Sequence, residues 1–141
     1  MWAEVKLMHD IEHVLHFVTE LGRRMLVSGA NIERVEMTIQ TICHAYGLHN
    51  VNNQTMTTSI FVGATDKDGI YRDRRVAVPA CGIDLERLRK LNSFGYKVKE
   101  TLPNPAELRE MLDAEDNTKP YPIWLTLIAQ IIAMVALGRL F

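Results

Sequence analysis

One stretch restricts the fold more than any other. From Ile123 to Gly138 the chain carries no charged residue, and Thr126 and Gln130 are its only clearly polar side chains. A helix apolar on every side has no polar face to offer water, so a small domain can rarely wrap it. Continued to Phe141, such a helix would reach about 28 Å, close to the roughly 30 Å hydrocarbon core of a bilayer. Tyr121 and Trp124 stand at its near end, where interfacial aromatics belong. Arg139 stands near the far end and can snorkel to headgroups. The expectation is a transmembrane helix over residues 119–141; the alternative is a C-terminal helix buried in a core. Charge does not orient it, because Arg109 and Lys119 lie before it and Arg139 after it.

Residues 1–118 read differently, as one soluble α+β domain. The whole chain has 141 residues and a net charge of -1, so no global field argues for a nucleic-acid partner. Cys43 and Cys81 have no metal-binding spacing, which predicts free thiols in a reducing compartment. The N-terminus lacks the pattern of a cleavable secretory signal.

Met8, Ile11, Leu15, Val18, Leu21 and Met25, widened by Val14 and Phe17, make one face of a helix over residues 3–27. Glu4, Lys6, Asp10, Glu12 and Glu20 fall on its solvated side. Ser28-Gly29-Ala30-Asn31 then forms a corner. Gly29 supplies the positive φ of a helix end, and Asn31 caps the next helix, residues 31–46. Glu33 sits in its first turn, where the dipole favours an anion. Ile32, Val35, Ile39, Ile42 and Tyr46 form its inner stripe, and Gly47 ends it. The short corner predicts an antiparallel helical hairpin.

Residues 51–62, rich in threonine and β-branched side chains, predict one strand bent around Thr57. Asp66-Lys67-Asp68-Gly69 is a turn, and residues 70–78 make a second, antiparallel strand ended by Pro79. Arg72 and Arg74 share a face of that strand, with Arg75 on the other. Asp84 caps a third helix with Leu85, Leu88, Leu91 and Phe94 inward. Asn104 caps a short fourth from Pro105 to about Leu112. Residues 113–120 read as a polar linker. The fold class is thus ααββαα followed by one transmembrane helix.

Several constellations invite chemistry. His9-Asp10-Ile11-Glu12-His13, with His16 nearby, approaches a zinc-protease pattern, but Asp10 stands where the general base should be glutamate, and no further ligand is identified. Surface histidines are the simpler reading, and no metal or other cofactor is expected. Cys81 precedes a helix start that lowers a thiol pKa, yet nothing brings His44 or His49 to it as a base. No catalytic residue is assigned. Arg72, Arg74 and Arg75, with the amides of Gly82 and Ile83, are the candidate anion site, since guanidinium groups and helix-start N–H groups both suit carboxylates. The alternative is a strand edge protected by charge.

The order of pieces resembles the N-terminal domain of the threonine/serine exporter family. The resemblance rests on Met25-Leu26-Val27-Ser28-Gly29-Ala30, on Arg34-Val35-Glu36 with Ile39, and on Thr57-Thr58-Ser59-Ile60-Phe61. It continues through the arginine-rich strand, Cys81-Gly82-Ile83-Asp84-Leu85, and Tyr121-Pro122-Ile123-Trp124-Leu125. This last run is similar to the start of the first membrane helix in the family's succinate-exporter subunits. Cys81 replaces the arginine of the family's motif, which weakens an anion clamp there. The resemblance makes Ser28, Gly29, Asn31, Arg34 and Glu36 the structural corner. It also implies a non-enzymatic exporter of threonine, serine or dicarboxylates such as succinate, at the inner membrane with this domain cytoplasmic. One helix cannot line a transport path. The chain is therefore expected to be a fragment, a truncated version or a subunit dependent on others, and the expected partners are the lipid bilayer and either a second membrane subunit or further copies of the chain. The competing readings are a membrane-tethered hydrolase-like enzyme and a soluble adaptor whose last helix is core.

Overall fold

The computed structural model describes residues 2–116 and 123–140. Helix α1 (Trp2–Val27) is the axis of the molecule. Its residues Ile11, Val14, Leu15, Phe17, Val18, Leu21 and Met25 are at most 2% exposed. They recur at three- and four-residue spacing, so one face enters the core. The side chains of Glu4, Lys6, Met8 and His9 lie outside the described residues. Helix α2 (Ile32–Ala45) returns along α1. Val35, Ile39, Ile42 and Cys43 form its buried stripe, whereas Ile32, in the first turn beside the corner, is 37% exposed. Gly22 marks the closest approach: a Cβ there would stand 3.1 Å from both Ile39 and Val35 and 3.2 Å from Ile60.

The strand expected over residues 51–62 is two strands. β1 (His49–Thr55) and β2 (Ser59–Thr65) are joined by a tight turn in which the Met56 N–H donates to the Ser59 carbonyl at 2.8 Å. Threonine favours strand on either side, but Thr57 and Thr58 have no apolar partner and turn outward to solvent. β3 (Tyr71–Ala77) follows the Asp66 turn, whose Oδ1 accepts from the N–H groups of Asp68 and Ile70. The sheet is an antiparallel meander in the order β1-β2-β3, with β2 central and buried. Ile60, Val62 and Ala64 of β2, none of them exposed, face the helices.

Helix α3 (Leu85–Thr101) is capped by Asp84, whose carboxylate accepts from the Arg87 N–H at 3.0 Å. Leu91, Phe94 and Val98 are buried and Leu88 is half-buried. Leu85, expected inward, is 70% exposed because the first turn projects past the core. A 3-10 turn (Pro105–Glu107) capped by Asn104 leads into α4 (Leu108–Asp116). Residues 113–116, expected in a polar linker, are instead the last turn of α4, and the rest of that expected linker lies outside the described residues.

Helix α5 (Ile123–Gly138) has 16 residues, about 24 Å of rise. Among the described residues no helix is long and apolar enough to cross a membrane, so the transmembrane helix expected over residues 119–141 is not supported. The regular helix stops at Gly138, and Arg139 and Leu140 form a turn. The boundary expected at residues 118 and 119, and Tyr121, lie outside the described residues. Trp124, Ile131, Ile132, Met134 and Val135 are 58–77% exposed.

Candidate functional site

The corner between α1 and α2 is tied to a second loop by backbone hydrogen bonds. Gly29 takes φ +104°, a conformation that a side chain resists. Asn31 Oδ1 accepts from the Arg34 N–H at 2.8 Å, as an N-cap should. The chain near residue 82 then docks onto the corner. The Gly82 N–H donates to the Val27 carbonyl at 3.0 Å, and the Asp84 N–H donates to the Ser28 carbonyl at 2.9 Å. A Cβ on Gly29 would stand 3.1 Å from the Gly82 carbonyl oxygen. Ser28 is buried, and its hydroxyl oxygen has no hydrogen-bond partner. Glu36 ties α2 to the sheet: its carboxylate accepts from the Thr55 N–H at 3.0 Å, and its carbonyl accepts from the Asn53 side chain at 2.7 Å. Arg34 is exposed at a groove of about 250 Å³ between α2 and α3, with Met37, Tyr96 and Lys99.

A charge network lies beside the corner. Arg24 donates to Glu20 at 3.0 Å, to Asp113 at 2.6 Å and to Asp116 at 3.0 Å. Arg87 grips Asp116 bidentately, with both contacts at 2.7 Å, and Arg23 pairs with Glu20. The Arg23 hydrogen bond is the largest influence on Glu20, and with Arg24 it holds that carboxyl at about 2. Arg87 likewise holds Asp116 below the usual carboxylate range. Glu20 is therefore not the solvated charge expected of it. The only signal in the sequence was the spacing of Glu20 to Arg23 and Arg24, three and four residues on one helix face.

The arginine strand separates by register. Arg72 lies opposite Ala64 and Arg74 opposite Val62, so both share the helix-facing side of the sheet. Arg75 lies opposite Phe61 on the other side, its guanidinium 6.0 Å from the ring centroid. Arg72 is half-buried, and its Nε is a buried atom without a hydrogen-bond partner. Arg74 and Arg109 of α4 both bear on His16 of α1. Burial first, then these two guanidinium groups, push the imidazole below its ordinary value.

The expected anion site is not assembled as the sequence suggested. The Gly82 N–H is committed to Val27, and Ile83 is 86% exposed. Arg74 instead stands near His16, about 16 Å further back along α1 than Val27 by helical rise. Cys81 is exposed and its thiol faces the Pro79 carbonyl at 3.7 Å; Cys43 is buried, and burial pushes its thiol up to about 12. Among the described residues no group of three or more His, Cys, Asp or Glu is placed to hold a metal ion.

Neither a curated protein nor a solved structure matches the chain. A family model described as "Putative threonine/serine exporter" matches residues 16–141. That span holds the corner, the meander, the charge network and the apolar helix, and on it the chain belongs to the threonine/serine exporter family, ThrE.

Proposed function

We propose that residues 2–116 form the cytoplasmic domain of an inner-membrane exporter of small amino acids or dicarboxylates, and that α5 is the segment that associates with the membrane. The observation that carries this reading is α5 itself. It is an uncharged helix, exposed at every position where its side chains are described, in a chain of an exporter family. Apolar surface of that extent is stable only when something other than water covers it.

One helix of 16 residues cannot line a path, because exporters bind solute between helices. The transport path therefore needs membrane helices in addition to α5. The domain is read as a gate or assembly surface and not as an enzyme.

The test is transport with localisation. Carbonate-washed membranes should retain the full chain, and cells making it with its membrane partner should export labelled threonine or succinate faster than cells without it. Cys81, the exposed thiol, is a native reporter of sidedness: an impermeant maleimide should label it in inside-out vesicles and not in whole spheroplasts. Release of the chain by carbonate would overturn membrane association. Labelling in spheroplasts would overturn the cytoplasmic placement, and unchanged export of both solutes would overturn the transport role.

A further inference from the structure

A cavity of about 290 Å³ lies well back along α1 from the corner, about 20 Å from Val27 by helical rise. Helix α1 gives its wall Asp10, Ile11 and Val14, the segment after α2 gives Leu48, and the turn before β3 gives Asp66 and Lys67. Tyr46, on the same wall, donates to the Pro103 carbonyl at 2.7 Å and so holds the chain leading into the 3-10 turn. We propose that this cavity binds the primary ammonium group of a small aliphatic molecule. Its N–H groups donate to Asp66 Oδ2 and to the Asp10 carboxylate, and its hydrocarbon rests on Ile11, Val14 and Leu48.

The acceptor is Asp66, which is 5% exposed. Its Oδ1 accepts from the N–H groups of Asp68 and Ile70, both at 2.9 Å. Its backbone is tied as well: the Asp66 N–H donates to the Ile70 carbonyl at 3.0 Å, and its carbonyl accepts from the Gly69 N–H at 3.2 Å. The carboxyl group therefore cannot swing out to water without losing the turn. Its second oxygen, Oδ2, is buried and has no hydrogen-bond partner among the described residues. Buried acceptors are rarely left without a donor, and a buried carboxylate is among the costliest to leave so. Among the described residues neither Asp10 nor Asp66 is in an ion pair.

The wall selects the ligand by charge and by shape. Two carboxylates face one lysine, so the cavity is formally one positive charge short. Lys67 is exposed, and its stem crosses Gly47, where a Cβ would stand 3.1 Å from its Cε. An ammonium group is compact and carries three donors, enough to serve both carboxylates, and hydrogen bonds between charged partners are the strong ones. A hard metal ion needs six or more oxygens, whereas the rest of this wall is largely hydrocarbon, from Ile11, Val14 and Leu48. The volume lies just below the range of drug-sized pockets, which limits the body to a few carbons. Simple amines and apolar amino acids share this ammonium group. An amino acid adds a carboxylate, for which Lys67 is the counter-ion.

Calorimetric titration of the full chain in detergent at neutral pH tests the proposal with three probes of similar carbon skeleton: isobutylamine hydrochloride, valine and isobutanol. Sodium chloride at equal ionic strength is the control for screening. Saturable isobutylamine binding is expected, with no detectable binding of isobutanol, which has the shape without the charge. Asp66→Asn keeps an oxygen for the turn and puts a donor in place of Oδ2, so it should weaken binding at least about tenfold. Asp10→Asn should weaken it several-fold. Methyl NMR of the wild type needs no variant to fold: isobutylamine should shift the methyl signals of Ile11, Val14 and Leu48 and leave those of Ile39 in place. Valine binding more tightly than isobutylamine would identify an amino-acid ligand, and the reverse a simple amine; both support the site. Absence of saturable binding of either would overturn it, as would isobutanol binding as tightly as isobutylamine, or binding unchanged in Asp66→Asn. None of these readouts involves the membrane or export, so the site does not rest on the transport reading and the two fail separately.

Discussion

Helices α1 and α5 draw on the same apolar residue types and reach opposite ends. In α1 the leucines, isoleucines and valines fall on one face, and seven core positions are at most 2% exposed. Its other face carries Glu12, Glu20, Arg23 and Arg24. In α5 the apolar residues run all the way round, and Met134 is 77% exposed. The difference lies in arrangement rather than in hydrophobicity alone. A stripe can be matched by the stripes of α2 and α3 and by the sheet, whereas a fully apolar cylinder leaves most of its surface uncovered by any one neighbour.

The largest expected effect separates the two helices outright. Deleting residues 119–141 should abolish membrane association while leaving the thermal midpoint of the remaining domain within a few degrees. A remainder that aggregates or loses its circular dichroism would show that α5 belongs to the core. At the level of single residues, Leu21→Ala in α1 should lose about 2–5 kcal/mol of stability to denaturant. Ile131→Ala in α5 should change it by less than about 0.5 kcal/mol. Equal losses from the two would erase the contrast.

Acid offers a graded test of the α1 side. The Glu20 carboxyl is held at about 2 in the folded domain, against an ordinary 4.5. Its contribution is fully present above the unfolded value and is lost as pH falls from there through about 2. The ceiling is about 3 kcal/mol. His16 is shifted downward as well, so the domain should begin to lose stability below the ordinary histidine value, with Glu20 dominating later. Chemical denaturation of wild type and Glu20→Gln across that range should show the acid slope reduced in the variant; identical slopes would remove Glu20 from the account.

Smaller effects are expected where α1 ends. Gly29→Val should cost about 1–3 kcal/mol, since a β-branched residue resists positive φ and its Cβ meets the Gly82 carbonyl. Asp116→Asn should cost about 1–2 kcal/mol by weakening the Arg87 and Arg24 contacts. A double-mutant cycle with Arg87→Gln should show coupling between the two positions. Additive losses would mean that the Arg87–Asp116 pair does not hold the last turn of α4, leaving that to Arg24 and to Leu112 packing.

Much of the fold was legible because its causes are local. A glycine at a helix end, an asparagine or aspartate before the next turn, and apolar spacing of three and four each act within a few residues. Gly29, Asn31, Asp84 and Asn104 do in the structure what their neighbours in sequence imply. The uncharged run at residues 123–138 was equally plain, although its regular helix is shorter than a bilayer span. The strand over residues 51–62 was misread because threonine favours strand on both sides of a turn.

The candidate sites were far less legible. Period-two alternation put Arg72 and Arg74 on one face, but did not say that this face is the one toward the helices. The Gly82 amide looked free until the corner claimed it. Arg24 and Asp116 are 92 residues apart, and no spacing rule reaches that far. The sequence alone determined the elements, their caps and the uncharged final helix, because backbone sterics and amphipathic periodicity operate over a turn or two. Only the tertiary structure decided which charges meet, because guanidinium and carboxylate groups find one another through the packing of helices and sheet that carries them.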